Sequence, residues 1–331
     1  MRPVGSTRKT SMSSKIAVIG CGHWGKNHVR NFAQLGSLGA VVDPHAPTAA
    51  KFAAEYDVPA LTFDEAIASA EITGIVVAAP AEMHCDLAIR AFDAGKHVFV
   101  EKPISLTMEE GERMKAAAER AGKTLMVGHL LQYHPAFVAL REAVQRGDLG
   151  ELRYAYSHRC SLGKFRTEEN ALWSFAPHDV SMLLALFGEA PENVSGHGGS
   201  FVTPGIEDEC RLDMTFSGGR RAHVFASWLH PFKEHRLTVV GEKAMAVFED
   251  SANGEEKLRL YKHQIDTSGQ VPVPSKADWA PMPYGDNEPL RTECQHFLDA
   301  CAGAPALTDA DEALRVLDVL IQGGQTAGDA G

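Results

Sequence analysis

The sequence predicts an α/β protein in two parts: a doubly wound parallel sheet, then an α+β domain with a large open, mostly antiparallel sheet. Three observations carry this expectation. Between residues 15 and 128, short Val/Ile/Ala-rich runs alternate with helical patterns, as in a parallel sheet covered on both faces. The first run ends in Gly20-Cys21-Gly22-His23-Trp24-Gly25, a G-x-G-x-x-G set between strand and helix. Beyond residue 150 the chain changes to strand-like segments separated by turn signals.

Taken in order, the expected strands of the first part are 16–19, 38–42, 74–79, 97–100 and 124–127. Helical patterns fall between them at 26–34, 48–55, 83–94 and 108–121, with Gly95 and Gly122 placed as C-caps. A further helix over 135–146 ends in Arg146-Gly147-Asp148-Leu149-Gly150, which sets the boundary between domains 15–150 and 151–331. The second part reads as a segment over 151–159, a basic loop and a helix over 177–187. Strands follow at 194–202, 209–216, 221–228, 236–240, 244–248 and 257–263. Ser217-Gly218-Gly219-Arg220 is a hairpin turn between two of them. Residues 271–289 read as loop, and helices at 289–302 and 309–321 close the chain, the last of them free to pack back on the first domain. A sheet covered on one face needs a partner, so a homodimer or homotetramer through that face is expected.

Composition narrows the function classes. The 331 residues carry a formal net charge of -11, which disfavours nucleic acid and anionic membranes as partners. No apolar run reaches the roughly 20 residues of a membrane-spanning helix. Residues 1–14 lack an apolar core and read as a disordered leader rather than a secretory signal, so the expected compartment is the cytoplasm. The six cysteines show no C-x-x-C and no regular spacing, which fits free thiols and no metal site.

The glycine loop has the parts of a dinucleotide site in a Rossmann sheet. Gly20, Gly22 and Gly25 permit the tight turn, the approach of a pyrophosphate and helix-strand packing. His23 and Trp24 begin a helix whose free N–H groups face phosphate. Asp43 ends the second strand, where a carboxylate binds the ribose 2′-hydroxyl and repels a 2′-phosphate, so NAD is favoured over NADP. Downstream, Val98-Phe99-Val100-Glu101-Lys102-Pro103 is a buried strand that delivers a lysine into a turn at the carboxyl end of the sheet, where such folds place their ligands.

Together the G-x-G-x-x-G loop and the strand-end Glu-Lys-Pro resemble the glucose-fructose oxidoreductase / inositol dehydrogenase family of sugar dehydrogenases, over residues 15 to about 321. The resemblance implies that Ala79, Pro80 and His84 line the dinucleotide pocket, Ala79 standing where the family has Thr; a surface histidine in a helix-initiating loop is the other reading of His84. It implies a cis bond before Pro103, and a Glu101 that holds Lys102 or nearby backbone. It also assigns His178, in Trp173-Ser174-Phe175-Ala176-Pro177-His178, to the family's catalytic histidine, with Ser174 where the family often has Asp.

Oxidising a secondary alcohol with NAD requires a hydride acceptor, which is the cofactor, and a proton acceptor, which the protein supplies. With Pro177 in a first helical turn, the helix dipole would bias His178 towards the neutral form of a base. His178 is therefore the expected proton acceptor and Lys102 the group that orients and polarises the hydroxyl, though the two roles could be exchanged. Arg159, Lys164 and Arg166 offer cations for a diphosphate; a solvated basic loop is the other reading. Tyr133, between Gln132 and His134, lies where relatives contact substrate or nicotinamide. The run from Leu162 to Asp179 resembles the branch of UDP-N-acetylglucosamine 3-dehydrogenases, whose 3-keto product an aminotransferase consumes in lipopolysaccharide assembly. The rivals are an inositol or free-sugar dehydrogenase, a ketoreductase, an NAD-holding glycosidase and a non-catalytic NAD or sugar sensor.

Overall fold

The computed structural model describes residues 14–163, 165–167 and 169–328. The expected leader, apart from Ser14, and Lys164 lie outside them. The first sheet contains β1 (Lys15–Ile19), β2 (Leu38–Val42), β3 (Ile72–Val77), β4 (His97–Val100) and β5 (Leu125–Val127). Its order is β2-β1-β3-β4-β5 and every pairing is parallel. The connections are α1 (Gly25–Gln34), α2 (Ala46–Tyr56), α3 (Phe63–Ala68), α4 (His84–Asp93) and α5 (Met108–Ala121); α6 (Pro135–Gln145) follows β5. The strands are buried on both faces, as their continuous apolar runs require. The order reverses at β1, which opens a crevice beyond the carboxyl ends of β1 and β3.

The second sheet has eight strands in the order β15-β12-β11-β10-β6-β9-β8-β7. They are β6 (Leu152–Leu162), β7 (Asn193–Gly199), β8 (Glu209–Thr215), β9 (Arg221–Ser227), β10 (Leu229–Gly241), β11 (Met245–Glu249), β12 (Leu258–Tyr261) and the short β15 (Ala280–Pro281). A separate ribbon pairs β13 (Gln264–Asp266) with β14 (Val273–Ser275). Within this sheet, among the described residues, only β6 and β9 run parallel. One face packs on α7 (Ala171–Phe187) and α9 (Ala310–Gly328) around Leu172, Leu183, Phe187, Phe216 and Leu320. The other face shows the alternate residues of β6 and β9: Tyr154 is 45% exposed, and Tyr156, His158, His223 and Phe225 are half-buried. Tyr156 and His223 stack there at 5.1 Å between centroids. The closing α8 (Pro289–Cys301) lies against α1.

Four expectations change. The short α3 was not expected; its signal is the capping box in which Thr62 and Glu65 bond each other's backbone N–H. The start of the expected basic loop is strand instead: β6 continues to Leu162, paired with β9 as far as Cys160 and with β10 at Leu162. The helix carrying His178 begins at Ala171, capped by Asn170, whose side chain accepts from Trp173 N at 3.1 Å. Pro177 therefore sits inside the helix, and His178 is in its middle rather than its first turn. Finally, the expected loop over 271–289 holds two short strands.

Candidate active site

The glycine loop shows the three distinct uses of its glycines. Gly20 has φ +83°, and a Cβ there would lie 2.7 Å from Ala78 O. A Cβ on Gly25 would lie 1.7 Å from Gly20 O, so α1 can start this close to β1 only without a side chain. Around Gly22 nothing lies within 4 Å of that position. The loop is tight against the sheet at the outer glycines and open at the middle one, a cradle that a pyrophosphate fits and a Cβ would fill. No side chain caps the N-terminus of α1 at Trp24, which leaves helix-end N–H groups for phosphate. His23 is exposed beside it. At the end of β2, Asp43 accepts from Cys21 N at 2.8 Å and from His45 N at 2.9 Å. Its carboxylate is thereby locked to the glycine turn, where a ribose hydroxyl would meet it.

The turns after β3 and β4 form the next wall. The Lys102–Pro103 bond is cis. His84 is neither on the surface nor at the open side of a pocket: at 1% exposure, it reaches Ala79 O and Pro103 O, each at 2.9 Å. It ties the Ala79-Pro80 turn to the Lys102-Pro103 turn. Burial pulls its pKa down against those two carbonyl acceptors. Glu101 turns away from the lysine amine, and its Oε1 accepts from Trp24 Nε1 at 2.6 Å and His28 Nε2 at 2.5 Å. Its Oε2 meets Lys102 N at 3.3 Å. Burial would raise the Glu101 pKa, but the bonds from His28 and Trp24 and the Lys102 charge outweigh it and keep the carboxylate ionised.

Across the crevice, Lys102 Nζ donates to Ser174 O on α7 at 3.2 Å. This contact brings the strand-end lysine and the histidine helix together. Burial, helped by the charges of Arg166 and Arg159, lowers the Lys102 pKa against the pull of Glu169 and Glu101. His178 is held well below the usual imidazole range by burial, then by Lys102, Arg159 and His129. Its neutral form is thus favoured, but by these causes and not by a helix N-terminus. His178 Nδ1 is buried without a hydrogen-bond partner among the described residues.

Other expected substrate residues are differently placed. Arg159 is 7% exposed and donates to Asp179 from Nε at 2.5 Å and Nη2 at 3.2 Å. Because β6 is a strand, Arg159 points to the α7 side and forms an interior ion pair rather than presenting a free cation to a diphosphate. Tyr133 is a core residue at 4% exposure, its hydroxyl bonded to Thr308 Oγ1 at 3.0 Å. The 3-10 turn over Leu130–Tyr133 points that ring under the first sheet. Arg166 remains near the lysine and pairs with Glu169 at 2.6 Å. Four residues escaped sequence reasoning: His28, His129, Asp179 and Glu312. His28 alone had a local signal, lying three residues past the last loop glycine on the buried face of α1; the partners of the others are long-range.

A crevice that takes a dinucleotide across a parallel sheet, with a lysine standing over it, defines the nicotinamide-dependent oxidoreductases. Residues 14–129 match the NAD-binding Rossmann fold of the GFO_IDH_MocA oxidoreductase family, and residues 137–247 match the GFO/IDH/MocA C-terminal domain. The chain belongs to this family, and NAD is its cofactor. It is 29% identical over 311 residues to the UDP-N-acetylglucosamine 3-dehydrogenase of Acidithiobacillus ferrooxidans, covering 93% of this chain and 95% of the relative. The solved structure of that enzyme superposes with a TM-score of 0.83 at 27% identity, over 95% of this chain and 97% of the other. An inositol 2-dehydrogenase of Rhizobium meliloti is 30% identical over 339 residues, covering 94% and 97%. GenD2, solved in complex with NAD, shares the fold with a TM-score of 0.82 at 22% identity, covering 100% and 98%.

Proposed function

We propose that this family member oxidises the 3-hydroxyl of a UDP-linked amino sugar, UDP-N-acetylglucosamine first, with NAD. The observation that supports the dehydrogenase site is the 3.2 Å contact from Lys102 Nζ to Ser174 O, which brings the strand-end lysine to the helix that carries His178. Bound NAD supplies the hydride acceptor. Gly20, Gly22, Gly25 and the α1 N-terminus hold its phosphates, and Asp43 its adenosine ribose. Lys102 and His178 hold the reacting hydroxyl. Arg166 would face the diphosphate, while Arg159 stays committed to Asp179.

The end-to-end similarity to a UDP-N-acetylglucosamine 3-dehydrogenase supports this sugar. The comparable similarity to an inositol 2-dehydrogenase makes a free polyol the second reading. In the first reading the 3-keto product is consumed by an aminotransferase in lipopolysaccharide assembly, in the cytoplasm. The open face bearing Tyr154 and Tyr156 joins the chains of a homodimer or homotetramer.

The test is NADH formation with UDP-N-acetylglucosamine, the ketone trapped by hydroxylamine. UDP-N-acetylglucuronate, free N-acetylglucosamine and myo-inositol run beside it. Turnover confined to UDP-N-acetylglucosamine is expected; turnover on inositol alone moves the substrate to the second reading. Lys102→Ala should lose turnover by about 100-fold or more while still binding NAD, and full turnover in that variant would refute the site.

A further inference from the structure

His178 lacks the partner that makes an imidazole a base, and a second imidazole has it. In a neutral ring one nitrogen carries the proton, and the hydrogen bond to the other ring position decides which. Nδ1 of His178 is buried and unpartnered among the described residues. An orphaned buried N–H is rarer and costlier than an orphaned lone pair, so the proton belongs on Nε2. His178 therefore offers an N–H to the site and acts as a donor.

His129 is the reverse case. Val100 of β4 pairs with Val127 of β5, so Lys102 and His129 each stand two residues beyond a paired couple, at the carboxyl ends of adjacent parallel strands. The His129 ring is 2% exposed, and its Nδ1 lies 2.6 Å from Glu312 Oε2 on α9. The other oxygen of Glu312 accepts from Ser181 Oγ at 2.6 Å. Ser181 follows His178 by three residues on α7 and so shares its side of the helix. The chain of bonds continues with Gln132 Nε2 donating to Ser181 Oγ at 2.8 Å and Arg141 Nη1 donating to the Gln132 amide oxygen at 2.8 Å. A carboxylate only accepts, so in the neutral ring the His129 proton sits on Nδ1 and the lone pair on Nε2, which has no hydrogen-bond partner among the described residues. That is the arrangement of an imidazole base oriented by a carboxylate.

We propose that His129, oriented by Glu312, is the base that takes the hydroxyl proton, and that Lys102 and His178 both donate hydrogen bonds to the same oxygen. This deepens the dehydrogenase reading and rests on it. The stoichiometry closes: an alcohol oxygen has one proton to give and two lone pairs to share. The O–H bond breaks towards His129 Nε2, the C–H electron pair leaves as hydride for the oxidised nicotinamide, and the C=O bond forms. The imidazolium is left against the Glu312 carboxylate. A proton on His178 would instead be opposed by burial and by the charges of Lys102, Arg159 and His129, against the favourable charge of Asp250.

Two measurements test this. In the NAD-loaded protein without sugar, the Nδ1–H of His129 should appear as a protected downfield NMR resonance, assigned by its loss in His129→Gln and lost also in Glu312→Gln. Its absence from the wild type overturns the pair whatever the sugar is. With the alcohol that the wild type oxidises, Glu312→Gln and His129→Gln should each lower kcat about 100-fold and leave NAD affinity unchanged; His129→Gln should remove the acid limb of the pH profile and Glu312→Gln should displace it. His178→Gln should lower kcat but keep that limb. A wild-type profile in Glu312→Gln, or an acid limb lost only in His178→Gln, overturns the assignment. Absence of wild-type turnover on every alcohol counts against the dehydrogenase reading and leaves the pair to be decided by the resonance.

Discussion

The interior pair of Arg159 and Asp179 offers the sharpest test of how the second domain is held. Asp179 is fully buried, and its carboxylate accepts two bonds from the guanidinium and one from Ser157 Oγ at 2.5 Å. Burial alone would lower the Arg159 pKa; the Asp179 charge and bonds raise it instead, so the guanidinium stays charged in the interior. Removing one member leaves the other charge buried, which costs about 3–5 kcal/mol. Arg159 has weaker remaining neighbours, His235 Nδ1 at 3.2 Å and the charge of Asp250, so Asp179→Ala should fall at the lower end, near ~3 kcal/mol. The double variant Arg159→Met/Asp179→Leu should recover most of that loss, because neither charge is then buried. The assay is urea unfolding of the wild type, Asp179→Ala, Arg159→Met and the double variant at neutral pH and fixed salt. Losses below ~1 kcal/mol for both single variants, or a double variant no better than the singles, would refute the reasoning. Arg159→Met alone should reduce stability without selectively weakening affinity for a UDP-sugar; a selective loss of that affinity would return Arg159 to the diphosphate.

Three further outcomes follow from the geometry. Gly22→Ala should fold with unchanged stability and lose NAD affinity, whereas Gly25→Ala should lose both, by about 1–3 kcal/mol in stability, as read by thermal melts and NAD titration. Asp43→Asn removes the charge opposing a 2′-phosphate, and the NAD-to-NADP preference in kcat/KM should fall roughly tenfold or more. Glu293 is 1% exposed, with Oε1 unpartnered among the described residues, and burial followed by the Glu101 charge holds its pKa well above the carboxylate range. The folded chain thus keeps a proton that the unfolded chain releases above pH ~4.3, and stability falls as pH rises towards the folded pKa. Glu293→Gln should abolish that loss, so its melting temperature should gain on the wild type with increasing pH; a constant offset would sink the assignment.

The cofactor half was legible because its signals are local. Continuous apolar runs marked β1 to β5, and three glycines at fixed spacing marked the phosphate turn. Asp43 was legible by its distance from those glycines. The substrate half was legible only where a residue's role depends on its immediate neighbours. Pro177 misplaced the start of α7, because a proline is commonest in a first turn and tertiary packing here tolerates it inside. Arg159 read as a free cation for a diphosphate because its partner is 20 residues away on another element. His129 and Glu312 are separated by 183 positions, and no spacing rule connects them. His84 was legible as important but not in its role, since both its partners are backbone carbonyls that leave no trace in a sequence.

The cofactor sheet draws its cover from both ends of the chain. Leu290, Cys294 and Phe297 of α8 complete the core beside Val29, Phe32 and Phe99, while Ala313, Leu314 and Leu317 of α9 complete the opposite face beside Val100 and Met114. Even the outer edge of β5 is finished from there, with Val127 N bonded to Thr308 O at 2.8 Å. During synthesis the first 150 residues therefore emerge without these covers and wait for roughly another 170 to be made, about 8–30 s at ordinary elongation rates. A gene fragment cut at residue 150 would express a sheet with both faces partly bare, whereas a circular permutation that brings α8 and α9 next to β1 would let the nucleotide-binding half close as soon as it is made.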